Sequence, residues 1–89
     1  MNEQPVSWLL IEKGWDVIGS DGEHVGKVEE VEGEGDIFSG LLVTTHLFGK
    51  PRMVSADQVA EIDDDGRVHL SISSDEAKRL PEREPPEPA

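Results

Sequence analysis

The chain has 89 residues, which is enough for one small domain. Its 20 acidic and 8 basic residues give a net charge of −12, which argues against binding to nucleic acid or to anionic membranes, because both need clustered Lys and Arg. The chain contains no cysteine, which excludes disulfides, thiol catalysis and Cys-based metal sites. No apolar run approaches the ~20 residues of a membrane span. The polar start lacks a basic signal region, so we expect a cytoplasmic protein without membrane insertion.

The residue pattern predicts six short strands separated by turns. In chain order the predicted strands are 15–18, 24–32, 37–48, 52–55, 59–62 and 67–72. Asp-Gly pairs follow the first and fifth strands and suit tight turns, since Gly tolerates a positive φ. In the second strand, Val25, Val28 and Val31 recur every three residues instead of every two, which predicts a bulge or a strong twist.

The third predicted strand is the most apolar. Alternation places Leu41 and Val43 on one face, with Phe38 and Leu42 on the other. We therefore expect both faces of this strand to be at least partly buried.

Short helical turns are predicted after the fourth and sixth strands. Ser55 can cap one turn over 56–58, and Ser73 and Glu76 have the spacing of a capping box. The prediction is an all-β fold: a small antiparallel six-stranded β-barrel with a short C-terminal helix, spanning 13–80. An apolar segment, 1–12, would pack on the barrel or on a partner, and 81–89, rich in Pro and Glu, would be a disordered tail.

Four motifs in order resemble the PRC-barrel family, which is named for the cytoplasmic part of the photosynthetic reaction centre H subunit. They are V-x-x-x-D-G-x-x-V-G-x-V at 17–28, the apolar strand at 38–43, a strand and turn at 53–59, and I-x-x-D-G-x-V-x-L at 62–70. Ser55 stands where that family usually has proline. The resemblance implies a six-stranded barrel that serves as an adaptor or regulatory module, with no shared catalytic residue.

Asp63, Asp64 and Asp65 invite a comparison with calcium-binding loops. An EF-hand places its ligands at alternating positions and ends on a bidentate Glu, whereas these three residues are consecutive and a strand follows at once. Side chains that are adjacent in a turn diverge, so we interpret the run as a solvated hairpin turn.

The three histidines, His24, His46 and His69, have no local spacing typical of a zinc site. The sequence also lacks a nucleophile elbow and a phosphate-binding glycine loop. We therefore predict no enzyme activity, no cofactor and no metal.

The apolar N-terminal segment and the acidic second strand are typical of a protein-interaction surface. The candidate contact residues are Trp8, Leu10, Trp15, Phe38 and Phe48 for apolar contact, with Glu29, Glu30 and Glu32 for electrostatic steering. We predict a non-enzymatic adaptor that binds a protein partner and forms a homodimer. Because like charges oppose that dimer, its contact should be apolar and stronger in high salt.

Two other interpretations stay open. The domain could sense a small ligand or a metal ion near Asp63–Asp65 or a histidine. Alternatively, the acidity could be an adaptation of a structural protein to salt or stress, serving solubility alone.

Overall fold

The computed structural model describes residues 8–35, 37–45 and 50–82. They form one six-stranded sheet with two 3₁₀ helices, at Trp8–Leu10 and Ala56–Gln58, and one short α-helix. The strands are β1 (Asp16–Ile18), β2 (His24–Glu34), β3 (Ile37–Thr44), β4 (Arg52–Ser55), β5 (Val59–Ile62) and β6 (Arg67–Leu70), and the helix is α1 (Ser74–Ala77). All six strands lie where the sequence predicts them, but their bounds differ: β1 begins one residue later, β2 runs two residues further, β3 ends at Thr44 instead of residue 48, and β6 ends two residues earlier.

The sheet is open and mixed, so the predicted antiparallel barrel is wrong. The strand order is β4-β3-β2-β1-β6-β5, and β1 pairs with β6 in parallel. Closure would require β4 to pair with β5. Instead, β4 forms an isolated bridge from Arg52 to Glu82 in the C-terminal segment, and β5 has only four residues with an irregular register at Ala60. Both edges are therefore too short or already occupied.

The hydrophobic core lies on one face of the sheet. The buried residues of this core are Ile11, Val17, Val25, Val28, Leu41, Val43, Val54, Val68, Leu70 and Ala77. Trp8, Trp15, Ile72 and Leu80 pack against them, so the N-terminal 3₁₀ helix and the segment around α1 cover this face.

Register shifts explain how residues three apart share the core face. On β2 the pairing skips Val25 opposite β1 and Glu29 opposite β3, as the spacing of the valines predicts. A third shift skips Ser39 on β3, and it turns Phe38 to the same face as Leu41. The prediction that Phe38 shares a face with Leu42 is therefore wrong. Leu42 itself is fully buried outside the core cluster, as expected for a strand covered on both faces.

The first hairpin turn is tied to α1 by one carboxylate. Ser74 donates its backbone N–H to Asp21 Oδ1 at 3.2 Å and its hydroxyl to Asp21 Oδ2 at 2.9 Å. The predicted capping box is also present, because Ser73 Oγ accepts from Glu76 N and the Glu76 carboxylate accepts from Ser73 N. Asp21 thus links the turn after β1 to helix α1, which follows β6.

Candidate interaction surface

The N-terminal 3₁₀ helix is anchored on the β2–β3 hairpin by an aromatic stack. The rings of Trp8 and Phe38 are stacked, with centroids 5.3 Å apart and planes 17° from parallel. Gly33, which faces Phe38 across the hairpin, leaves room for the indole, because a Cβ there would lie 2.8 Å from Trp8 Cη2. The stack thus places the two residues after Trp8 beside this hairpin.

Three large aliphatic side chains are exposed on these two segments. Leu9 is 65% exposed, Leu10 is 58% exposed, and Ile37 at the start of β3 is 68% exposed. We call these three residues the apolar end. A single exposed aliphatic residue is normal on a protein surface, whereas neighbouring ones mark a candidate contact surface.

The structure separates the predicted apolar contact residues into two groups. Leu10 is exposed, whereas Trp8 and Phe38 are half-buried against the core and each other. Trp15 also packs on the core, and its indole lies beside Gly66 in the β5–β6 turn. Phe48 falls outside the described residues.

Leu9 and Ile37 are exposed but are not among the predicted contact residues. Leu9 lies in the same apolar run as Leu10, and its exposure depends on which side of a single helical turn meets the sheet. Ile37 begins the strand that the sequence predicts to be partly buried on both faces, but it lies next to the β2–β3 turn and is exposed.

The predicted acidic residues do not form one equivalent set. Glu29 sits at a bulge, where its carboxylate accepts a hydrogen bond from the Thr44 hydroxyl at 3.2 Å and lies 3.4 Å from Lys13 Nζ. Glu30 and Glu32 flank Val31, which packs against the core, so both lie on the opposite face of the sheet. Of these two, Glu30 is exposed and Glu32 is half-buried.

The Asp63–Asp65 turn is stabilised by hydrogen bonds and ion pairs from residues of the same β5–β6 hairpin. Asp63 accepts hydrogen bonds from the backbone N–H groups of Asp65 and Arg67, at 2.9 and 3.2 Å. Its other oxygen lies 2.8 Å from His69 Nε2 and 3.2 Å from Arg67 Nε. The bond with His69 is the main cause that lowers the Asp63 pKa below 3.8; partial burial opposes it, and the two N–H groups reinforce it.

No three His, Asp or Glu residues within 8–35, 37–45 and 50–82 are arranged to hold a metal ion. His69 is paired with Asp63, and His24 lies 3.2 Å from Asp16, which also accepts a 2.8 Å bond from Lys27. His46 lies outside these ranges. The two described histidines, His24 and His69, are therefore each partnered by a carboxylate.

An open groove of about 680 Å³ lies beside His69, at the ends of β1 and β6. Its lining includes Ile18, Ser20, Glu61, Arg67 and His69. Two of these, Arg67 and His69, already bind Asp63, so the groove offers no convergent set of polar groups for one ligand.

Among the described residues, no helix is both long and apolar enough to cross a membrane.

A family model described as an uncharacterised protein conserved in bacteria, DUF2171, matches residues 11–78. No PRC-barrel family matches, so the predicted membership of that family is wrong. The four motifs are turn-and-strand patterns that any small sheet with Asp-Gly hairpins can carry. No curated protein matches the chain. The match covers β1 to α1 and most of the chain, and the chain therefore belongs to the DUF2171 family.

Proposed function

We propose that this chain is a cytoplasmic, non-enzymatic protein-interaction module that pairs with a second copy through the apolar end. The observation that carries the proposal is the exposure of Leu9, Leu10 and Ile37 by more than half on two segments joined by the Trp8–Phe38 stack. Burying aliphatic surface is favourable by about 25 cal/mol per Å², so these side chains are the main source of contact energy.

Both edge strands of the sheet are protected against pairing with a strand of another copy, which favours contact through the apolar end. At β4 the backbone N–H of Met53 already donates to the Pro81 carbonyl at 3.1 Å. At β5 the register is interrupted at Ala60, and Glu61 adds a charge. Both features are typical ways of protecting edges from pairing.

Charge and area together predict a weak, salt-dependent dimer. Three side chains supply much less than the ~800 Å² per partner of a standard stable interface. Two copies with a net charge of −12 also repel each other, and this repulsion is screened when the Debye length falls from about 30 Å at 0.01 M salt to about 3 Å at 1 M. Association should therefore strengthen as salt is added.

Sedimentation equilibrium at about 0.01 to 1 M NaCl tests the proposal. We expect a dimer whose population grows with salt and protein concentration. Leu10→Gln and Ile37→Thr should each lower the association constant about tenfold, a change of ~1.4 kcal/mol, because each removes exposed aliphatic surface. Ala60→Ser, an equally mild change on exposed β5, should have no effect.

A chain that stays monomeric at every salt concentration would contradict the self-association proposal. The alternative interpretation, that the acidic residues serve solubility alone, would then be favoured. Equal dimerisation of all three variants would show that the contact lies elsewhere on the molecule.

A further inference from the structure

The outer edge of β4 is covered by a short stretch of the chain's own C-terminal segment. Pro81 accepts a hydrogen bond from Met53 N, and Glu82 forms an antiparallel bridge with Arg52. Leu80, just before them, packs against the hydrophobic core. We call Leu80–Glu82 the strap.

The strap leaves Arg52 incompletely bonded. The Arg52 side chain is only 18% exposed, and its Nη1 donates to the Leu80 carbonyl at 2.6 Å. Its Nη2 is 3.7 Å from the Glu82 carboxylate, and its Nε is buried without a hydrogen-bond partner among the described residues. A buried donor without a partner is unfavourable, so this arrangement is not the best that the site could make.

A carboxylate binds a guanidinium most strongly through two parallel hydrogen bonds, and one such edge of arginine is the pair Nε and Nη2. Of this pair, Nη2 lies 3.7 Å from the Glu82 carboxylate and Nε has no hydrogen-bond partner among the described residues. A carboxylate that came slightly closer would satisfy Nε and shorten the contact with Nη2. The site therefore has the chemistry to accept a better ligand than the strap.

We propose that the β4 edge is a binding site for an extended acidic peptide, and that the strap is an intramolecular competitor that occupies it. The ligand would add as a strand, accept a hydrogen bond from Met53 N, and place a carboxylate on Nε and Nη2 of Arg52. An apolar residue two positions before the carboxylate would take the place of Leu80. Main-chain pairing with one side-chain anchor is an established mode of peptide recognition.

The site is independent of the apolar end, because it uses β4 and the strap and none of Leu9, Leu10 and Ile37. Its test therefore does not depend on self-association.

The test uses the full chain carrying Glu82→Gln, which weakens the strap without shortening it. A synthetic peptide with blocked ends that copies residues 80–84, whose two glutamates outnumber its one arginine, is titrated while NMR follows the Met53 amide and the Arg52 Nε–H. We expect both signals to shift on binding, with an affinity about tenfold higher than for the unaltered chain. Adding Arg52→Lys should lower that affinity about tenfold, since lysine keeps the charge but loses the paired donors.

Two matched controls separate this site from general charge attraction. Lys27→Gln removes a positive charge from β2, where its partner is Asp16 and not the strap, and should leave peptide binding unchanged. A peptide with Gln at the position of Glu82 should bind about tenfold more weakly, and this control holds even where Arg52→Lys disturbs folding. Absence of peptide binding to the Glu82→Gln chain, or equal binding by both peptides, would overturn the proposal and make the strap a permanent structural cover.

Discussion

Gly26 marks a place where two strands approach too closely for any side chain. A Cβ at this position would lie 2.1 Å from the Thr44 carbonyl oxygen and 2.9 Å from its carbon. The obstruction is backbone of β3, which cannot rotate away as a flexible side chain can. Glycine is needed here because of space rather than because of a positive φ.

Gly26→Ala should therefore destabilise the fold by about 3 kcal/mol, because the β2–β3 pairing must open to relieve the clash. Urea denaturation measures the loss. Ser39→Ala, at an exposed position on β3, serves as the control and should change stability by less than about 0.5 kcal/mol. Similar losses for both variants would mean that the strands shift easily.

Asp63 links stability to pH. Because its pKa is lowered in the folded state, its bonds to His69 and to two backbone N–H groups stabilise the fold above the pKa of the unfolded chain, near 4. This contribution is lost as the pH falls through the lower folded pKa.

In Asp63→Asn the free energy of unfolding should be lower at neutral pH. It should also fall less steeply below about pH 4 than in the unaltered chain. Chemical denaturation across pH 2–7 tests this, with the exposed neighbour change Asp64→Asn as control. Parallel acid limbs for the unaltered chain and Asp63→Asn would show that the titration belongs to other carboxylates.

At the scale of elements, α1 depends on contacts outside itself, because four residues are too few for an independent helix. Its N-terminus is held by Ser73 and by Asp21, 53 residues away from Ser74 in the chain. Burial opposes the lowering of the Asp21 pKa, but hydrogen bonds from the Ser74 hydroxyl and from backbone N–H groups outweigh it and lower the pKa.

Asp21→Ala should accordingly release α1 without opening the centre of the sheet. Amide hydrogen exchange should accelerate about tenfold for residues 74–80, while β2 and β3 keep their protection. Asp21→Asn retains one acceptor oxygen and should show a smaller effect. Uniform acceleration over the whole chain would instead indicate that the Asp21 contact is part of the global folding unit.

Local patterns predicted the elements well because each has a local physical cause. The valine spacing in β2 marks its bulges, and Ser73 with Glu76 marks the start of α1. The same reasoning put Phe38 on the wrong face, since the bulge at Ser39 leaves no trace in the apolar pattern. The parallel pairing of β1 with β6 was missed for a different reason: it depends on which distant strands meet.

The exposed residues of the proposed interaction surface could be predicted only in part. The apolar run containing Leu10 is visible in the sequence, but exposure is decided by which residues the sheet covers. The strap was missed because the predicted Pro/Glu tail begins at Pro81, directly after the predicted end of the domain at Leu80, and because Arg52 reads as an ordinary cation of a short strand.

For the whole molecule, the net charge of −12 predicts that salt stabilises the fold, independently of the proposed dimer. Carboxylates repel one another over the surface, and salt screens that repulsion more than it weakens the few close ion pairs. The melting temperature at neutral pH should rise by about 5 °C between ~0.02 and ~0.5 M NaCl, measured by calorimetry at low protein concentration. The same comparison near pH 4 is the control, and the rise should be smaller there. A melting temperature that falls with salt would show that pairs such as Asp16 with Lys27 dominate.

The parallel pairing of Asp16–Ile18 with residues 67–69 also matters while the chain is being made. A ribosome must synthesise nearly all of the domain before β1 meets its second neighbour, so β1 stays at an open edge of the nascent sheet. Pairing between strands so distant in sequence is slow, and an open edge invites aggregation. The four glutamates of β2 are synthesised before β6. Their negative charge keeps unfinished copies of the chain apart until β6 pairs with β1.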